Sequence, residues 1–253
     1  MSSKGDALKE KIILETEAQV AILGERGANT RVILEKVGTA NSGAVQYHFG
    51  SKNALVEAVW AYRSKVVNEY CAAYLEAMKS SVPNRELSLS QLVSAVLAPH
   101  AYVIRHALPE SYYAAFVCKN GGFAPGASER DLDYPWYGPI HDCWQAIDER
   151  LAASLDDTVL EQRRRAALHY TGNAWLMIEQ RCCELARRFP SETQLVVSQL
   201  QDFVIRLSNC VSASLLREDF TPLSANVSEA LQKAADALGE PDWFIGSAGD
   251  YGH

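Results

Sequence analysis

The chain has 253 residues, of which 48% are hydrophobic, and it carries a formal net charge of −7. This length allows one large domain or two smaller ones, each with a sizeable core, and the acidic balance argues against nucleic-acid binding over the whole surface. Residues 1–65 are mildly basic, with nine Lys or Arg against seven Asp or Glu, whereas the remainder is acidic. The sequence shows no signal-peptide core and no apolar stretch of about 18 residues, and its six cysteines lack metal spacing. We therefore expect a cytoplasmic protein with no membrane segment and no bound metal.

Helical periodicity runs through almost the whole chain, and strand signals are nearly absent. An amphipathic first helix is predicted over residues 7–25, with Gly27 placed to end it in a left-handed conformation. A short second helix is predicted over Thr30–Val37, with Thr30 as its cap and Gly38 closing it.

A third helix follows, capped by Asn41 or Ser42. It places Val45 and Phe49 four residues apart, so both should face the core of a three-helix unit. A longer fourth helix, capped by its first residue, is predicted over residues 51–78.

The break at residues 80–86, which contains Pro83 and Asn84, separates this unit from a helical body. A long loop is predicted over residues 119–134. Body helices are predicted over residues 87–107, 109–118, 136–155, 157–189, 191–217 and 225–238.

Three helices within about 45 residues, with a tight glycine turn between the last two, predict a helix-turn-helix. In that motif the third helix enters the major groove with its N-terminus first. The amide side chains of Asn41 and Gln46 suit an adenine edge. Gly43 and Ala44 carry little side chain, so the backbone can approach the DNA closely.

Several neighbouring side chains suit the phosphate backbone. Thr39, Ser42, Tyr47 and His48 can donate hydrogen bonds to phosphate oxygens. Lys52, at the start of the fourth helix, adds a positive charge and free backbone amides. Spacing alone also allows a helical hairpin with an ordinary polar surface.

Three segments of this region carry a more specific signal: Glu25-Arg26-Gly27, Ile33-Leu34-Glu35-Lys36-Val37-Gly38 and Ala44-Val45-Gln46-Tyr47-His48-Phe49-Gly50-Ser51-Lys52. Through them, residues 14–52 resemble the DNA-binding head of the TetR family of bacterial transcriptional regulators. The resemblance covers about a sixth of the chain. Beyond it, the body matches the family only in its helical character and length.

The resemblance implies an all-α protein with a three-helix DNA-binding head at residues 1–52 and a linking helix from 51 to about 79. A ligand-binding and dimerisation body would fill residues 80–253, with a loose tail from about 239.

In the head, Thr30 and Arg31 would lie near the DNA backbone. Asn41, Ser42, Gly43, Ala44 and Gln46 would face base edges or adjacent phosphates, and Tyr47, His48 and Lys52 would hold phosphates.

In function, the resemblance implies a repressor that binds a palindromic operator in double-stranded DNA as a homodimer. The dimer would form through the helices at about 157–189 and 191–217. A small-molecule effector, bound in the body without any cofactor, would release the repressor from the operator.

The pocket for such an effector should combine aromatic walls with a few convergent polar groups. Each of these residues also suits an ordinary core, but their aromatic character favours an apolar or aromatic effector. The candidate residues are His100, His106, Tyr112, Tyr113, Trp136, His141, Trp144, His169 and Trp175.

The alternative hypothesis is an all-α small-molecule-binding protein or enzyme with a degenerate helix-turn-helix head. The sequence shows no nucleophile–base spacing, no paired carboxylates in a glycine-rich setting and no phosphate loop. We therefore expect no catalytic residues and no enzymatic activity.

Overall fold

The computed structural model describes residues 4–120 and 138–215, together with 229, 230, 233, 234, 236 and 237. These residues form helices, and no strand lies among them, so the predicted all-α fold is confirmed. Most of the predicted loop, Trp136 and the predicted tail from 239 lie outside the described residues. The six separately described residues, within the predicted last helix, are all helical.

Three helices form the N-terminal part: α1 (Lys4–Gly27), α2 (Thr30–Lys36) and α3 (Ala44–Phe49). Gly27 is the last residue of α1, as predicted, but the left-handed conformation predicted for it is adopted by Gly24 instead, with φ +74°. After Gly24 the chain makes one more turn, in which the N–H of Ala28 donates to the Gly24 carbonyl at 3.0 Å. Position 27 has no room for a side chain, because a Cβ there would lie 2.9 Å from the Leu23 Cβ.

Two predicted helix caps also need correction. Asn29 caps α2 in place of Thr30, because its Oδ1 accepts the Arg31 N–H at 2.9 Å. Gly43 occupies the cap position of α3 in place of Asn41 or Ser42, and among the described residues no cap side chain bonds the first turn of that helix. The Asn41 side chain instead accepts the N–H of Gly43 itself, at 3.0 Å.

The next three helices are α4 (Lys52–Ser81), α5 (Leu89–His106) and α6 (Tyr113–Lys119). The predicted cap of α4 is confirmed, because Ser51 Oγ accepts the Ala54 N–H at 3.0 Å. Ser88 and Gln91 begin α5 with a capping box, in which each side chain bonds the other residue's backbone N–H. The predicted linking helix thus extends to Ser81.

The last three labelled helices are α7 (Pro139–Ala152), α8 (Asp157–Arg188) and α9 (Thr193–Leu215). Asp156 caps α8 by accepting the N–H groups of Thr158 and Val159, both at 3.0 Å. The ends of α8 and α9 agree with the predicted ranges to within two residues.

The helices enclose one continuous hydrophobic core. The strongly apolar α5 lies at its centre and contacts α4, α6, α7 and α9. On one side α1 packs against α4 and α6, and on the other α8 packs against α6, α7 and α9. Consequently the N-terminal helices are joined to the body through α1 as well as along the chain through α4.

Candidate nucleic-acid interface

The turn between α2 and α3 begins with a Schellman motif at Gly38. The N–H of Gly38 donates to the Glu35 carbonyl at 3.0 Å, and the N–H of Thr39 donates to the Leu34 carbonyl at 3.1 Å. Gly38 has φ +75°, a conformation that side chains with a Cβ rarely adopt. This motif ends α2 sharply and turns the chain toward α3.

The polar residues that follow hold the turn together. Thr39 Oγ1 accepts the Asn41 N–H at 3.3 Å, and Asn41 Oδ1 accepts the Gly43 N–H at 3.0 Å. The Asn41 carbonyl also accepts the Ala44 N–H, at 3.1 Å. The oxygen of the Asn41 side chain therefore stabilises the turn, while its NH2 group can donate to an external acceptor.

Apolar side chains fix α3 against the rest of the head. Ala44 and Val45 are buried with Ile33 and Leu34 of α2, and the partly buried Phe49 packs against the same core. Because these residues take the inner face of a six-residue helix, Gln46 and its neighbours point outward.

The outer face of α3 is strongly exposed. Tyr47 is 82% exposed, and its ring meets His48 edge-on with 4.8 Å between ring centroids. Gln46 is exposed, and within the described part of the chain its side chain forms no hydrogen bond. An exposed amide beside an exposed phenol offers donors and an acceptor to a polar partner.

Positive charge lies at both ends of this surface. Arg31 is exposed at the start of α2, and Lys52 is partly exposed at the start of α4, directly after Gly50 and Ser51. Lys36 contributes less charge, because its Nζ lies 3.0 Å from a carboxylate oxygen of Glu15.

The predicted DNA-contacting residues differ in how far they are exposed. Ala44 is fully buried, so only its backbone can approach a ligand. Among the others, the exposed residues are Arg31, Asn41, Ser42, Gly43, Gln46 and Tyr47. The partly buried residues are Thr30, Thr39, His48 and Lys52.

In the body, three of the predicted pocket residues come together. The hydroxyl of Tyr113 and Nδ1 of His100 are hydrogen-bonded at 2.7 Å, and the ring of Trp175 meets His100 at 5.7 Å between centroids. All three side chains are buried. Burial lowers the pKa of His100 to about 3, so its imidazole is neutral at physiological pH.

The other pocket candidates that the structure describes are spread over α5, α7, α8 and the residue before α6. His106 contacts the ring of Tyr102 at 4.3 Å on a different face of α5, because six residues correspond to about 240° around a helix. The buried Trp144 and partly buried His141 lie on α7, and the partly buried Tyr112 precedes α6. His169 is exposed on α8, which does not suit a buried pocket.

A buried ion pair that the sequence analysis missed joins α1 to α4. Nε and Nη2 of Arg63 lie 2.5 and 2.7 Å from the two carboxylate oxygens of Glu17, and each residue is only 3% exposed. Burial lowers the pKa of Arg63, but the charge and hydrogen bonds of Glu17 outweigh that effect and raise it above its ordinary value. The sequence did contain a signal for this ion pair, because Glu17 and Arg63 each interrupt a stripe of apolar residues on their helix.

A second buried carboxylate, on Glu179 of α8, lies at the start of α6. Its Oε1 accepts the Ser111 hydroxyl at 2.6 Å and the Ala114 N–H at 2.8 Å, and its Oε2 accepts the Ala115 N–H at 3.2 Å. At the other end of α6, Lys119 Nζ donates to the Ile22 carbonyl of α1 at 2.9 Å. The short α6 is thus tied to α8 at one end and to α1 at the other.

Within the described ranges, no three His, Cys, Asp or Glu side chains are grouped so as to hold a metal ion. No helix of that part of the chain combines the length and apolar character needed to cross a membrane. Comparison of the sequence with protein-family models and with curated proteins found no match to either.

Proposed function

We propose that the chain is a DNA-binding transcriptional regulator, a homodimeric repressor of the kind that the TetR resemblance implies. The observation that carries this proposal is the outward face of α3, where Gln46 and Tyr47 project beside a tightly closed turn. A short helix whose inner face is buried and whose outer face is polar suits insertion into a major groove.

The geometry refines the roles of the predicted DNA contacts. No group of the described residues bonds the amide oxygen or the NH2 group of Gln46, so both can make a bidentate contact with adenine. Asn41 already accepts the Gly43 N–H with its side-chain oxygen, so its NH2 group is the better placed to bind a phosphate oxygen or a base acceptor. Tyr47, His48 and Lys52 remain the phosphate-binding candidates.

Exposed apolar side chains on α8 support the proposed dimer. Tyr170 and Met177 are 55% and 73% exposed and lie seven residues apart, on the same face of the helix. Ala166 and Asn173 continue this strip, and Leu195 at the start of α9 is also exposed. Pairing α8 and α9 with those of a second copy would bury the strip in a four-helix interface.

The position of α6 supports a route from the body to the DNA. Glu179 holds α6 to α8, and Lys119 holds it to α1. A ligand that displaced α6 would move α1, and therefore α3, relative to the dimer helices. Release from DNA would follow once the two heads no longer match half-sites separated by about 34–36 Å.

A fluorescence-anisotropy titration with DNA from upstream of the chain's own reading frame tests this proposal. We expect Gln46→Ala to weaken binding to the preferred sequence by about tenfold or more, because a bidentate base contact is lost. Lys52→Ala should weaken binding to all sequences and reduce the salt dependence by about one charge.

Lys65→Ala is the matched control, because it removes a positive charge from an exposed position on α4, away from α3. It should bind like the wild type. The proposal fails if the folded wild-type protein binds none of this DNA at low salt, or if all three variants bind as the wild type does. Either result would favour the all-α small-molecule-binding alternative.

A further inference from the structure

Arg63 has donor groups that the structure leaves without a partner. Its guanidinium is fully enclosed, and Glu17 takes Nε and Nη2. The remaining nitrogen, Nη1, is buried, and no atom of the described residues accepts a hydrogen bond from it. A buried charged donor left unpaired costs free energy, and an acceptor supplied from outside would recover it.

Aromatic side chains surround the guanidinium. Its central carbon lies 5.4 Å from the ring centroid of Tyr62 and 5.9 Å from that of Tyr113. Tyr113 extends this environment through its hydrogen bond to His100, whose ring in turn contacts Trp175. A flat apolar molecule could therefore contact several rings while one of its atoms reaches Arg63.

The nearby charges select against an ionic ligand. Glu17 already balances the charge of Arg63, and Glu179 is a second carboxylate close enough to interact with both Glu17 and Tyr113. An added anion would face two buried carboxylates and a single guanidinium, which repulsion and desolvation disfavour. A neutral acceptor, such as a carbonyl oxygen, satisfies Nη1 without adding charge.

We propose that Arg63 Nη1 binds the carbonyl oxygen of an uncharged aromatic molecule held among Tyr62, Tyr113, His100 and Trp175. That this molecule is the effector of the regulator rests on the function proposed above. Since Arg63 belongs to α4 and its partner Glu17 to α1, the ligand acts directly on the ion pair that joins the head to the body.

Three probes, each with two phenyl rings joined through one carbon atom, test the site on the full-length wild-type protein. Benzophenone carries a carbonyl group, diphenylmethane has a CH2 group in its place, and 4-benzoylbenzoate adds a negative charge. We expect benzophenone to bind about tenfold more tightly than diphenylmethane, because it gains one hydrogen bond from an ionised donor. The carboxylate should bind more weakly than benzophenone.

Benzophenone also reports its own position, because ultraviolet light inserts its carbonyl carbon into nearby C–H bonds. Mass spectrometry should locate the adducts on α4 around Arg63 and on α6 around Tyr113. Four results would overturn the proposal: equal affinities for benzophenone and diphenylmethane, tightest binding of 4-benzoylbenzoate, adducts confined to other helices, or no binding of benzophenone up to its solubility limit.

A variant that replaces both members of the ion pair, Glu17→Met with Arg63→Met, tests the role of the guanidinium. Replacing both charges with apolar side chains of similar size avoids leaving one charge buried alone. This variant should bind benzophenone and diphenylmethane about equally, whereas Arg85→Met, which changes an exposed arginine paired with Glu76, should keep the preference.

If the double variant does not fold, the comparison of the three probes on the wild-type protein still tests the proposed site. The probe measurements contain no DNA, so their failure would leave DNA binding by the head unaffected. Failure of DNA binding would likewise leave this ligand site intact.

Discussion

Two glycines in left-handed conformations stand on either side of α3. Gly38 has φ +75° and Gly50 has φ +78°, and a Cβ built on either would meet no atom within 4 Å. Glycine is therefore favoured at both positions by the backbone conformation, and not by a lack of room for a side chain. They let the chain turn sharply into and out of a helix too short to set its own direction.

Gly38→Ala should lower the free energy of unfolding by about 1 kcal/mol, because alanine resists this left-handed conformation. Gly43→Ala is the matched comparison, since Gly43 has φ −88° and its Cβ would make an ordinary contact of 3.4 Å with Asn41 Oδ1. Its effect should stay within about 0.5 kcal/mol. Urea denaturation of both variants measures the difference, and equal stabilities would contradict this account.

For individual residues, the sequence predicted which side chains are exposed better than it predicted which buried charges are paired. The outward positions of Gln46 and Tyr47 followed from the burial of Val45 and Phe49. The ion pair of Glu17 and Arg63 was missed because each partner, 46 residues apart, looks like an isolated polar residue on an apolar stripe. Only the crossing of α1 and α4 in space brings the two together.

Among the helices, α6 depends most on its neighbours. It has seven residues, too few to be stable alone, and Glu179 satisfies two of its first backbone N–H groups. Burial raises the pKa of Glu179, and its hydrogen bonds from Ser111 and the α6 backbone only partly offset that effect. We therefore expect the stability contributed by Glu179 at the start of α6 to depend on pH.

Because the folded-state pKa of Glu179 lies above the unfolded value, the folded protein binds the proton more readily. This contribution to stability is fully present below the unfolded pKa and is lost as the pH rises through the folded pKa. The wild type should therefore gain stability relative to Glu179→Gln as the pH falls from 7.5 toward about 4.5, by at most about 1.4 kcal/mol per pH unit.

Urea denaturation across this pH range gives the difference between the two proteins. Glu184→Gln, which removes an exposed carboxylate from the same helix, controls for the change in net charge. A difference between wild type and Glu179→Gln that stays constant or changes in the opposite direction would refute the expected linkage.

Periodicity predicted the long helices well and their ends less well. The ranges of α8 and α9 were close because a capping aspartate and Pro190 mark their limits in the sequence. The end of α1 was predicted to within two residues, but the left-handed conformation was assigned to the wrong one of two glycines that lie three residues apart.

For the whole molecule, the core runs without a break from α1 to α9. Several apolar residues of α8 and α9 that suited a dimer interface, including Trp175, Val204 and Leu207, are buried within the monomer. The proposed dimer would therefore rely on the exposed strip around Tyr170 and Met177. Periodicity could not separate the face of α8 that is buried within the monomer from the exposed face, because both faces are partly apolar.

Met177→Glu should convert the proposed dimer to a monomer, because it places a charge on the most exposed apolar side chain of the shared strip. Leu23→Glu is the matched control, since Leu23 is similarly exposed but lies on α1. Light scattering coupled to size-exclusion chromatography gives the mass of each. A monomeric wild type, or a dimer that Met177→Glu leaves unchanged, would rule out this interface.

The hydrogen bond from Lys119 to the Ile22 carbonyl limits how freely the parts of this protein can be exchanged. The break at Gly24 interrupts the helical bonding near the end of α1, and a residue about a hundred positions along the chain supplies a partner there. A chimera that grafted residues 1–52 onto another helical body would lose this bond and would bury Glu17 without its arginine. Under the proposed function, retargeting to a new DNA sequence should therefore begin with side-chain changes on α3, which leave both of these contacts in place.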